Sequence, residues 1–453
     1  MGITRRQWLA GALGIGAFSL VGGLVYRQIK GDAQEWVYEL TAKETDIDLR
    51  TGQVTPAMTY NGQAPGPMLR ARQGDWLRVR FHNQLSEPTT IHWHGIRLPL
   101  EMDGVPYVSQ LPVQPGESFE YAFQVPDAGS FWYHPHVSSP EQLGRGLVGP
   151  IIVEERQPTG FSEDIALSLK NWRLEDDGLL AEPMLVPREA ARAGTMGAYS
   201  TVNGQHQPTV EAVAGEIVRL RVLNLDSNLT YRLSLPNGDA QIYALDGNPI
   251  QPRPFKEWQL GPGMRIELGV KMPSEGQELQ LRNGPLLLAR LRSRGGQAKT
   301  TQWPAAIPAN PIAIPDLQHA ERLRFNFEWA GLVSRGLERG SHTFWQINGQ
   351  AWDINDVTCA ERPIATLDFG KSYIFELRNL SQYHHPIHLH GMTFCVLSSN
   401  RRKIDPWFTD TYLLGRNESA QIAFVADNPG VWMFHCHVVD HMDTGLMAAI
   451  EVV

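Results

Sequence analysis

Three stretches of the chain alternate hydrophobic with polar residues in the same way: GDWLRVRFHNQL from Gly74, GEIVRLRVLNLD from Gly215 and GKSYIFELRNLS from Gly370. In the first stretch, Leu77, Val79 and Phe81 alternate with two arginines and a histidine. A period of two is the pattern of a β-strand that buries one face. Because patterns with the period of an amphipathic helix are scarce, the fold class is predicted to be all-β, with sandwich or barrel domains.

The chain repeats one unit three times. The tripeptide Asn-Gly-Gln precedes each of these stretches, at residues 61–63, 203–205 and 348–350. Repetition at a near-constant spacing indicates homologous domains. We therefore predict three all-β domains, over residues 34–156, 157–315 and 316–453, preceded by a separate segment of residues 1–33.

The first segment has the features of an export signal. Arg5 and Arg6 precede an aromatic residue and a leucine, and an uncharged apolar run follows from Ala10 to Val25. This pattern is typical of a twin-arginine signal, and a cut after Ala33 fits it. It predicts a periplasmic protein, exported in the folded state by the twin-arginine machinery. A plain amino-terminal anchor is the alternative.

Composition adds two constraints. The formal net charge of −8, without a basic stripe, argues against a nucleic-acid partner. The three cysteines allow at most one disulfide, which Cys359 and Cys395 could form in an oxidising compartment. We favour two unpaired, buried thiols instead. The sequence carries no signal for an oligomeric state.

The most informative pattern is a set of four His-x-His pairs, which are His92/His94, His134/His136, His388/His390 and His435/His437. Chance placement of the 15 histidines would give about half a pair. The pairs lie in motifs shared by the first and third repeats, where IHWHG matches IHLHG and AGSFWYHPH matches PGVWMFHCH. The middle repeat has no such pair, so it is predicted to be a spacer or to shape a substrate surface.

Strand geometry indicates what these pairs do. Residues i and i+2 of a strand point to the same side, so each pair can present two imidazoles to one site. Eight imidazoles from two domains could hold several metal ions. Neutral imidazole suits copper, zinc, iron and nickel alike, so the pairs alone do not select the metal.

A cysteine narrows the choice of metal. Cys436 lies between His435 and His437, so it must point to the opposite side of that strand. His385 and His441 stand nearby in sequence, and one thiolate with two imidazoles is the ligand set of a blue-copper electron-transfer centre. The thiolate would bind one copper while its two neighbours bind the cluster behind it. A zinc hydrolase would have no use for this cysteine.

These motifs resemble those of the multicopper oxidases, the laccases, bilirubin oxidases and periplasmic cuprous oxidases, over essentially the whole mature chain. The resemblance implies three cupredoxin-like Greek-key domains and four copper ions, one of type 1, one of type 2 and two of type 3. It implies type 1 ligands His385, Cys436 and His441, type 2 ligands His92 and His388, and type 3 ligands His94, His134, His136, His390, His435 and His437.

The resemblance also implies an activity. A laccase-like enzyme would oxidise a phenol or aromatic amine one electron at a time through the exposed edge of His385. The electrons would pass through Cys436 to His435 and His437, and O₂ would be reduced to water. Asp103, nine residues after His94, would supply protons. The alternatives are a cuprous or other metal-ion oxidase for copper tolerance, and a non-enzymatic copper-binding envelope protein.

The sequence departs from the family at two positions. Leu446 occupies the place of the weak axial ligand, so we expect a three-coordinate type 1 copper, unless Met447 takes that place. Met442 replaces a glutamate that bacterial relatives tend to have, and Asp440 or Asp443 could substitute for it in proton supply. Asp440 could equally be a solvated loop charge.

Two further features bear on the substrate. Residues 304–341 contain no methionine, whereas cuprous oxidases carry a methionine-rich insert in this part of the chain. His384, next to His385, could touch the substrate.

Overall fold

The computed structural model describes residues 33–50, 52–334 and 342–453. The predicted export signal, residues 1–33, lies outside the described residues except for Ala33. The described chain is built almost entirely of strands, arranged in six sheets, so the all-β prediction is confirmed. Its longest helix has only six residues, and no helix of the described chain could cross a bilayer.

The first pair of sheets has the strand orders β2-β1-β4-β6 and β3-β8-β7-β5. Its strands are β1 Glu35–Arg50, β2 Gln53–Tyr60, β3 Leu69–Arg72, β4 Trp76–Asn83, β5 His92–His94, β6 Ser118–Gln124, β7 Gly129–His134 and β8 Gly149–Glu154. A 3₁₀ turn covers Leu100–Met102, and helix α1 covers Ser139–Gly144.

The second pair has the strand orders β10-β9-β12-β17-β14-β15 and β11-β19-β18-β13-β16. Its strands are β9 Asp164–Trp172, β10 Tyr199–Val202, β11 Thr209–Val213, β12 Ile217–Asn224, β13 Tyr231–Ser234, β14 Asp239–Leu245, β15 Asn248–Pro254, β16 Glu257–Leu260, β17 Arg265–Lys271, β18 Glu278–Asn283 and β19 Leu286–Arg294. Helix α2, Pro187–Ala190, lies in the connection between β9 and β10.

The third pair has the strand orders β21-β20-β23-β28-β25-β26 and β22-β30-β29-β24-β27. Its strands are β20 Glu321–Ser334, β21 His342–Ile347, β22 Ala365–Leu367, β23 Ser372–Asn379, β24 His385–Leu389, β25 Phe394–Ser399, β26 Trp407–Thr409, β27 Thr411–Leu414, β28 Ser419–Val425, β29 Gly430–Cys436 and β30 Met447–Val452. A 3₁₀ turn covers Cys359–Glu361, and helix α3 covers Val439–Asp443.

The three alternating stretches form corresponding strands, β4, β12 and β23. In β4, Leu77, Val79 and Phe81 are fully buried in the core of the first pair of sheets, while Arg78 and Arg80 reach towards solvent and pair with glutamates of neighbouring strands. Each pair of sheets encloses its own large apolar core. The sheets therefore fall into the three repeats read from the sequence pattern.

Strand β12 departs from the expected pattern because both of its faces are buried. Its polar face carries Arg219 and Arg221, whose guanidiniums both bind the buried carboxylate of Glu267. Ser130 of β7 donates a hydrogen bond of 2.6 Å to the same carboxylate. Burial disfavours ionisation of Glu267, but the guanidiniums outweigh it and hold its pKa at about 2. The alternating pattern of β12 predicted a strand with one face towards solvent. In the structure that face forms a contact between the first and second repeats.

Candidate metal centre

Two pairs of short strands carry the histidine pairs. In the first repeat β5 runs antiparallel to β7, with His92 opposite His134. In the third repeat β24 runs antiparallel to β29, with His388 opposite His435. Since residues two apart point to the same side of a strand, each sheet presents four imidazoles on one face.

The two faces meet in one buried cluster. The ring of His92 stacks on that of His390, and the ring of His94 on that of His388, each with centroids 3.9 Å apart. His136, the most exposed of the eight, is only 8% exposed. The first and third repeats therefore build this site together, and all eight predicted imidazoles lie in it.

The candidate ligand nitrogens fall into three groups, which are His92/His94/His388, His94/His134/His437 and His136/His390/His435. Within each group the nitrogens lie within 4.8 Å of one another. Every group mixes residues of the first and third repeats. Closely spaced imidazole nitrogens of this kind are what a shared metal ion requires.

In several of the rings, hydrogen bonds fix which nitrogen faces the cluster. The Nδ1 atoms of His92, His134 and His388 lie 2.8–3.0 Å from backbone carbonyl oxygens, which can only accept, so these atoms carry the proton. Their Nε2 atoms are buried and have no hydrogen-bond partner among the described residues, as is also true of His94 Nδ1, His136 Nε2 and both nitrogens of His437. Metal-binding histidines show this arrangement, with one nitrogen anchored and the other a free lone pair.

The protonation state of the rings agrees with this reading. Burial, reinforced by repulsion between neighbouring imidazoles, places the pKa well below its usual range for His94, His134, His136, His388, His390 and His437. The rings are therefore neutral, and neutral imidazole is the form that binds a metal.

A second set of candidate ligands lies on the opposite side of β29. Cys436 Sγ is 3.5 Å from His385 Nδ1 and 3.6 Å from His441 Nδ1, and the two nitrogens are 3.1 Å apart. The point equidistant from the three atoms lies about 2 Å from each, which is the length of a metal–nitrogen bond. One strand thus serves two sites, because Cys436 and its two histidine neighbours point in opposite directions.

Burial raises the pKa of the Cys436 thiol far above its usual value. Without a cation beside it, the thiol therefore stays protonated, while a bound metal would hold it as thiolate. The outer nitrogens of the two histidines are anchored: His385 Nε2 lies 2.9 Å from Ser381 Oγ, and His441 Nε2 lies 2.8 Å from the Arg192 carbonyl oxygen. The donor set and its supports fit a single metal ion.

The expectation of an exposed edge on His385 is wrong. Its side chain is fully buried, and Ser381 covers the outer nitrogen. The expectation of two buried free thiols is only half right, because Cys359 and Cys395 are unpaired but both are partly exposed. These exposures depend on neighbouring loops, which the local sequence does not describe.

Leu446 and Met447 occupy different environments. Leu446 is fully buried in the same apolar core as Cys436, and its carbonyl oxygen accepts a hydrogen bond of 3.0 Å from the Cys436 N–H. Met447 lies opposite His435 on β30 and packs in a separate apolar cluster with Met433 and Met442. Met447 therefore pairs with His435, whereas Leu446 belongs to the same apolar core as the thiol.

Asp103 ends the 3₁₀ turn of the first repeat and is almost fully buried. One carboxylate oxygen lies 2.9 Å from His390 Nδ1, and the other lies 3.2 Å from His92 Nδ1. The chain can approach so closely because Gly104 has φ +76° and no side chain; a Cβ there would lie 1.8 Å from the Ile91 carbonyl oxygen. Asp103 thus supports one imidazole from each of the two repeats.

Asp440, near Met442, is not a solvated loop charge. Asp440 is buried, and it accepts hydrogen bonds from the Thr195 N–H and the Asn228 amide. Burial raises the pKa of Asp440 to about 7 against those hydrogen bonds. Asp443 is also buried and lines a cavity of about 340 Å³ that reaches His136.

Asp410 and Arg265 were missed by sequence reasoning. The Asp410 carbonyl oxygen accepts from His388 Nδ1, and one of its carboxylate oxygens lies 3.2 Å from His94 Nε2. Both oxygens of that carboxylate accept hydrogen bonds, of 2.8 and 2.6 Å, from the fully buried guanidinium of Arg265. No motif or spacing connects these residues to the histidine pairs. The middle repeat, which supplies Arg265, is therefore more than a spacer.

Gly263, also from the middle repeat, lies directly over the cluster. Its φ is +79°, and a Cβ there would lie 2.9 Å from ring atoms of His437 and 3.0 Å from His94. We expect Gly263→Ala to displace these rings and weaken metal binding by about 10- to 100-fold, the range for changes to groups that orient ligands. Metal content per chain, measured by mass spectrometry after dialysis at limiting metal, checks this.

Gly276→Ala is the matched control for that variant. Gly276 has the same φ of +79°, but nothing lies within 4 Å of a Cβ placed there. Backbone strain is thus equal in the two variants, and only Gly263→Ala adds the contact with the rings. Equal metal loss in both would show that the contact has no role.

A cavity of about 690 Å³ opens beside α2, and we call it the α2 cavity. Its lining includes Ser381, whose hydroxyl lies beside His385, and Arg192, whose carbonyl oxygen lies beside His441. Trp329, Phe344 and Tyr383 give it an aromatic wall. The thiol-containing set therefore lies behind a surface cavity, although its histidines are not themselves exposed.

The sequence and the fold of the chain are similar to those of known proteins. Three family models, each described as multicopper oxidase, match residues 41–158, 166–283 and 333–453. The chain is 62% identical to a multicopper oxidase from Pseudomonas thermotolerans of known crystal structure, covering 93% of this chain and 100% of that one, with a TM-score of 0.88. The corresponding values for a multicopper oxidase from Pseudomonas parafulva are 60%, 92%, 100% and 0.86. Multicopper oxidase MmcO from Mycobacterium tuberculosis is 27% identical, over 91% of this chain and 86% of that protein.

Proposed function

Since the chain belongs to the multicopper oxidase family, whose members are copper-binding, cupredoxin-like oxidoreductases that use O₂, we propose that it is a laccase-like oxidase of phenols or aromatic amines. The family assignment was predicted from the histidine and cysteine motifs, and it is confirmed. The substrate class and the individual ligands are the proposal. The α2 cavity is the observation that carries the substrate class.

We assign the ligands of four copper ions from the geometry of the donor atoms. His385, Cys436 and His441 would hold the type 1 ion, and His92 and His388 the type 2 ion. The type 3 ions would be held by two sets, His94/His134/His437 and His136/His390/His435. When bound, copper supplies the one-electron oxidation of the substrate and the four-electron reduction of O₂ to water.

The α2 cavity has the size and lining of a site for a small aromatic molecule. Small-molecule sites enclose roughly 300–1,000 Å³ and are mostly apolar with a few polar groups. Tyr383 of the aromatic wall contacts Trp345, with ring centroids 5.9 Å apart. Trp345 in turn packs against His385 and His441, at 5.0 and 4.5 Å. A substrate ring in this cavity would therefore be separated from the ligand imidazoles by a single layer of protein.

The same cavity is poorly suited to a metal-ion substrate. None of the described residues that line it is Asp, Glu, Met or Cys, and two are arginines. A cuprous ion prefers thioether or thiolate ligands, and the two positive charges would repel it. This favours the organic substrate over the copper-tolerance alternative.

Two buried acids are positioned to supply protons to the cluster. Asp103 contacts His92 and His390, and Asp443 lines the cavity that reaches His136. Reduction of O₂ to water needs four protons, and a carboxylate within hydrogen-bond reach can relay them. We propose Asp103 as the main donor, with Asp443 acting from the side where Met442 replaces an acid.

The cellular setting follows from the first segment. Arg5 and Arg6, with the apolar run behind them, support export by the twin-arginine machinery and a periplasmic location. We further propose the domain boundaries 34–156, 157–315 and 316–453. They are supported by the sheets, because every strand pairing in the described chain joins two strands of the same segment.

Oxygen uptake tests the proposed function. Copper-loaded protein is expected to be blue and to consume one O₂ per four electrons taken from a phenol, with a slower rate on Cu(I). The rate on Cu(I) is expected to be slower because the lining of the α2 cavity is aromatic and cationic. An oxygen electrode, with a phenol and Cu(I) supplied separately, measures both rates. Uptake with Cu(I) alone would establish the metal-ion oxidase instead, and no uptake with either would leave a non-enzymatic copper protein.

A further inference from the structure

The α2 cavity carries two positive charges that the rest of the protein does not use. Arg188 on α2 and Arg192 in the following turn are four residues apart, a spacing that places side chains on the same side of a helical turn. Both are exposed, and neither guanidinium makes a hydrogen bond or ion pair with any residue that the structure describes. The turn itself is held firmly, since the Ala190 and Arg192 carbonyl oxygens accept from Trp345 and His441.

The charge around the thiol-containing site is opposite in sign to the net charge of the chain. The protein has a formal net charge of −8, yet the described lining of the α2 cavity contains no acid. A second cavity, of about 330 Å³, lies at His384 and is lined by Arg401, Arg402 and Arg416. Its one acid, Glu418, is buried and accepts hydrogen bonds from Tyr412 and the Gly415 N–H. The approach to His385 and His441 is therefore locally cationic.

The aromatic and cationic parts of the α2 cavity line the same space, so one bound molecule can contact both. Tyr383 and Ser381 lie on the side next to His385, while Arg188 and Arg192 come from α2 and its following turn. Trp329, which is half exposed, and Phe344 complete the apolar wall. A planar ring bearing an anionic substituent would satisfy both parts at once, because guanidinium binds carboxylate with paired hydrogen bonds.

We propose that the α2 cavity selects phenols that carry a carboxylate or similar anionic group, bound by Arg188 and Arg192. This rests on the proposed phenol-oxidase function and adds the charge class of the substrate. Each phenol loses one electron and its phenolic proton to become a phenoxyl radical. Four such oxidations supply the four electrons and four protons that convert one O₂ into two waters, and the carboxylate takes no part in the chemistry.

A matched pair of donors tests the proposal. Dihydrosinapate and its methyl ester have the same phenol ring, and two methylene groups insulate the ring from the charge, so both are equally easy to oxidise. With the copper-loaded protein at low salt, kcat/KM for the acid is expected to exceed that for the ester by roughly 3- to 30-fold, the effect of two solvent-accessible ion pairs. At about 1 M salt, where the screening length falls to about 3 Å, the preference should largely vanish.

Variants locate the preference in the cavity. The double variant Arg188→Gln/Arg192→Gln should bring the acid-to-ester ratio close to one, mainly through KM. Gln382→Glu, an exposed lining position that tolerates a charge, should lower the preference even if the double variant folds poorly. Arg232→Gln is the control, since Arg232 is exposed on β13 and pairs with Glu257 outside the cavity.

Binding measured without turnover separates this proposal from the function on which it rests. The trimethoxyphenyl analogue of the acid has no phenolic proton to lose, so titration calorimetry can compare it with its own methyl ester. Tighter binding of the acid, lost in the double variant, supports anion selection even if no phenol drives oxygen uptake. Equal kcat/KM and equal binding for acid and ester would overturn the proposal while leaving the phenol-oxidase function intact.

Discussion

Replacing Cys436 with serine is expected to remove the blue colour of the copper-loaded protein and to lower substrate oxidation by at least about 10³-fold, because a hydroxyl cannot act as the soft anionic ligand of a type 1 site. The Cys436 sulfur lies 3.5–3.6 Å from His385 Nδ1 and His441 Nδ1, and the described residues offer no other thiol there. Absorption spectra and oxygen uptake measure the two losses.

The cluster on the other face of β29 should survive this substitution. His435 and His437 keep their places, because they belong to the opposite side of the strand. Copper content should therefore fall by about one ion per chain, from four to three. Cys395→Ser makes the same chemical change on β25, away from either ligand set, and should leave colour and activity as they are. Persistence of the blue colour in Cys436→Ser would contradict the assignment of the thiol.

Asp103→Asn is expected to slow reoxidation of the reduced protein by O₂ by roughly 10²- to 10⁴-fold, the usual contribution of a positioned proton donor. The amide has nearly the same shape as the carboxylate between His92 and His390, but it cannot deliver a proton. Stopped-flow spectroscopy can follow the two halves of the reaction separately. Bleaching of the blue colour by a phenol under argon should be unchanged, since Asp103 does not contact the thiol-containing set.

The comparison of the two half-reactions separates proton supply from structural support. A residue needed only for structure would, when changed, lower copper content and slow both halves. Glu101→Gln changes an exposed carboxylate on the same 3₁₀ turn and serves as the matched control. Should Asp103→Asn reoxidise at the normal rate with a full copper complement, protons must reach the cluster by another route, with Asp443 the first residue to test.

Much of the candidate site could be predicted because strand geometry is local. The pairing of His435 with His437 on one side of the strand, and of Cys436 on the other, depends only on the alternation of neighbouring residues. The meeting of the first and third repeats could be predicted too, because the shared motifs occur in those two repeats alone. The structure places all eight paired imidazoles in one buried cluster, with His385 and His441 at the sulfur.

Other features required the packed chain. Asp410 and Arg265 come from different repeats and meet behind His94 and His388 without any shared motif. The buried His385 is hydrogen-bonded to Ser381, and the buried Asp440 accepts hydrogen bonds from Thr195 and Asn228. Most of these contacts join segments that are far apart along the chain, and that separation carries no information about their distance in space. The contact between Ser381 and His385 depends instead on how the loop before β24 folds.

The sequence by itself determined the all-β class, the threefold repeat, the family and the candidate ligand residues, because alternation along a strand and the chemistry of imidazole and thiolate are properties of short segments. The tertiary structure alone decided which nitrogens of the imidazoles are free, which acids are buried and what lines the α2 cavity. Those properties depend on contacts between distant segments, and such contacts are set only when the three pairs of sheets pack together.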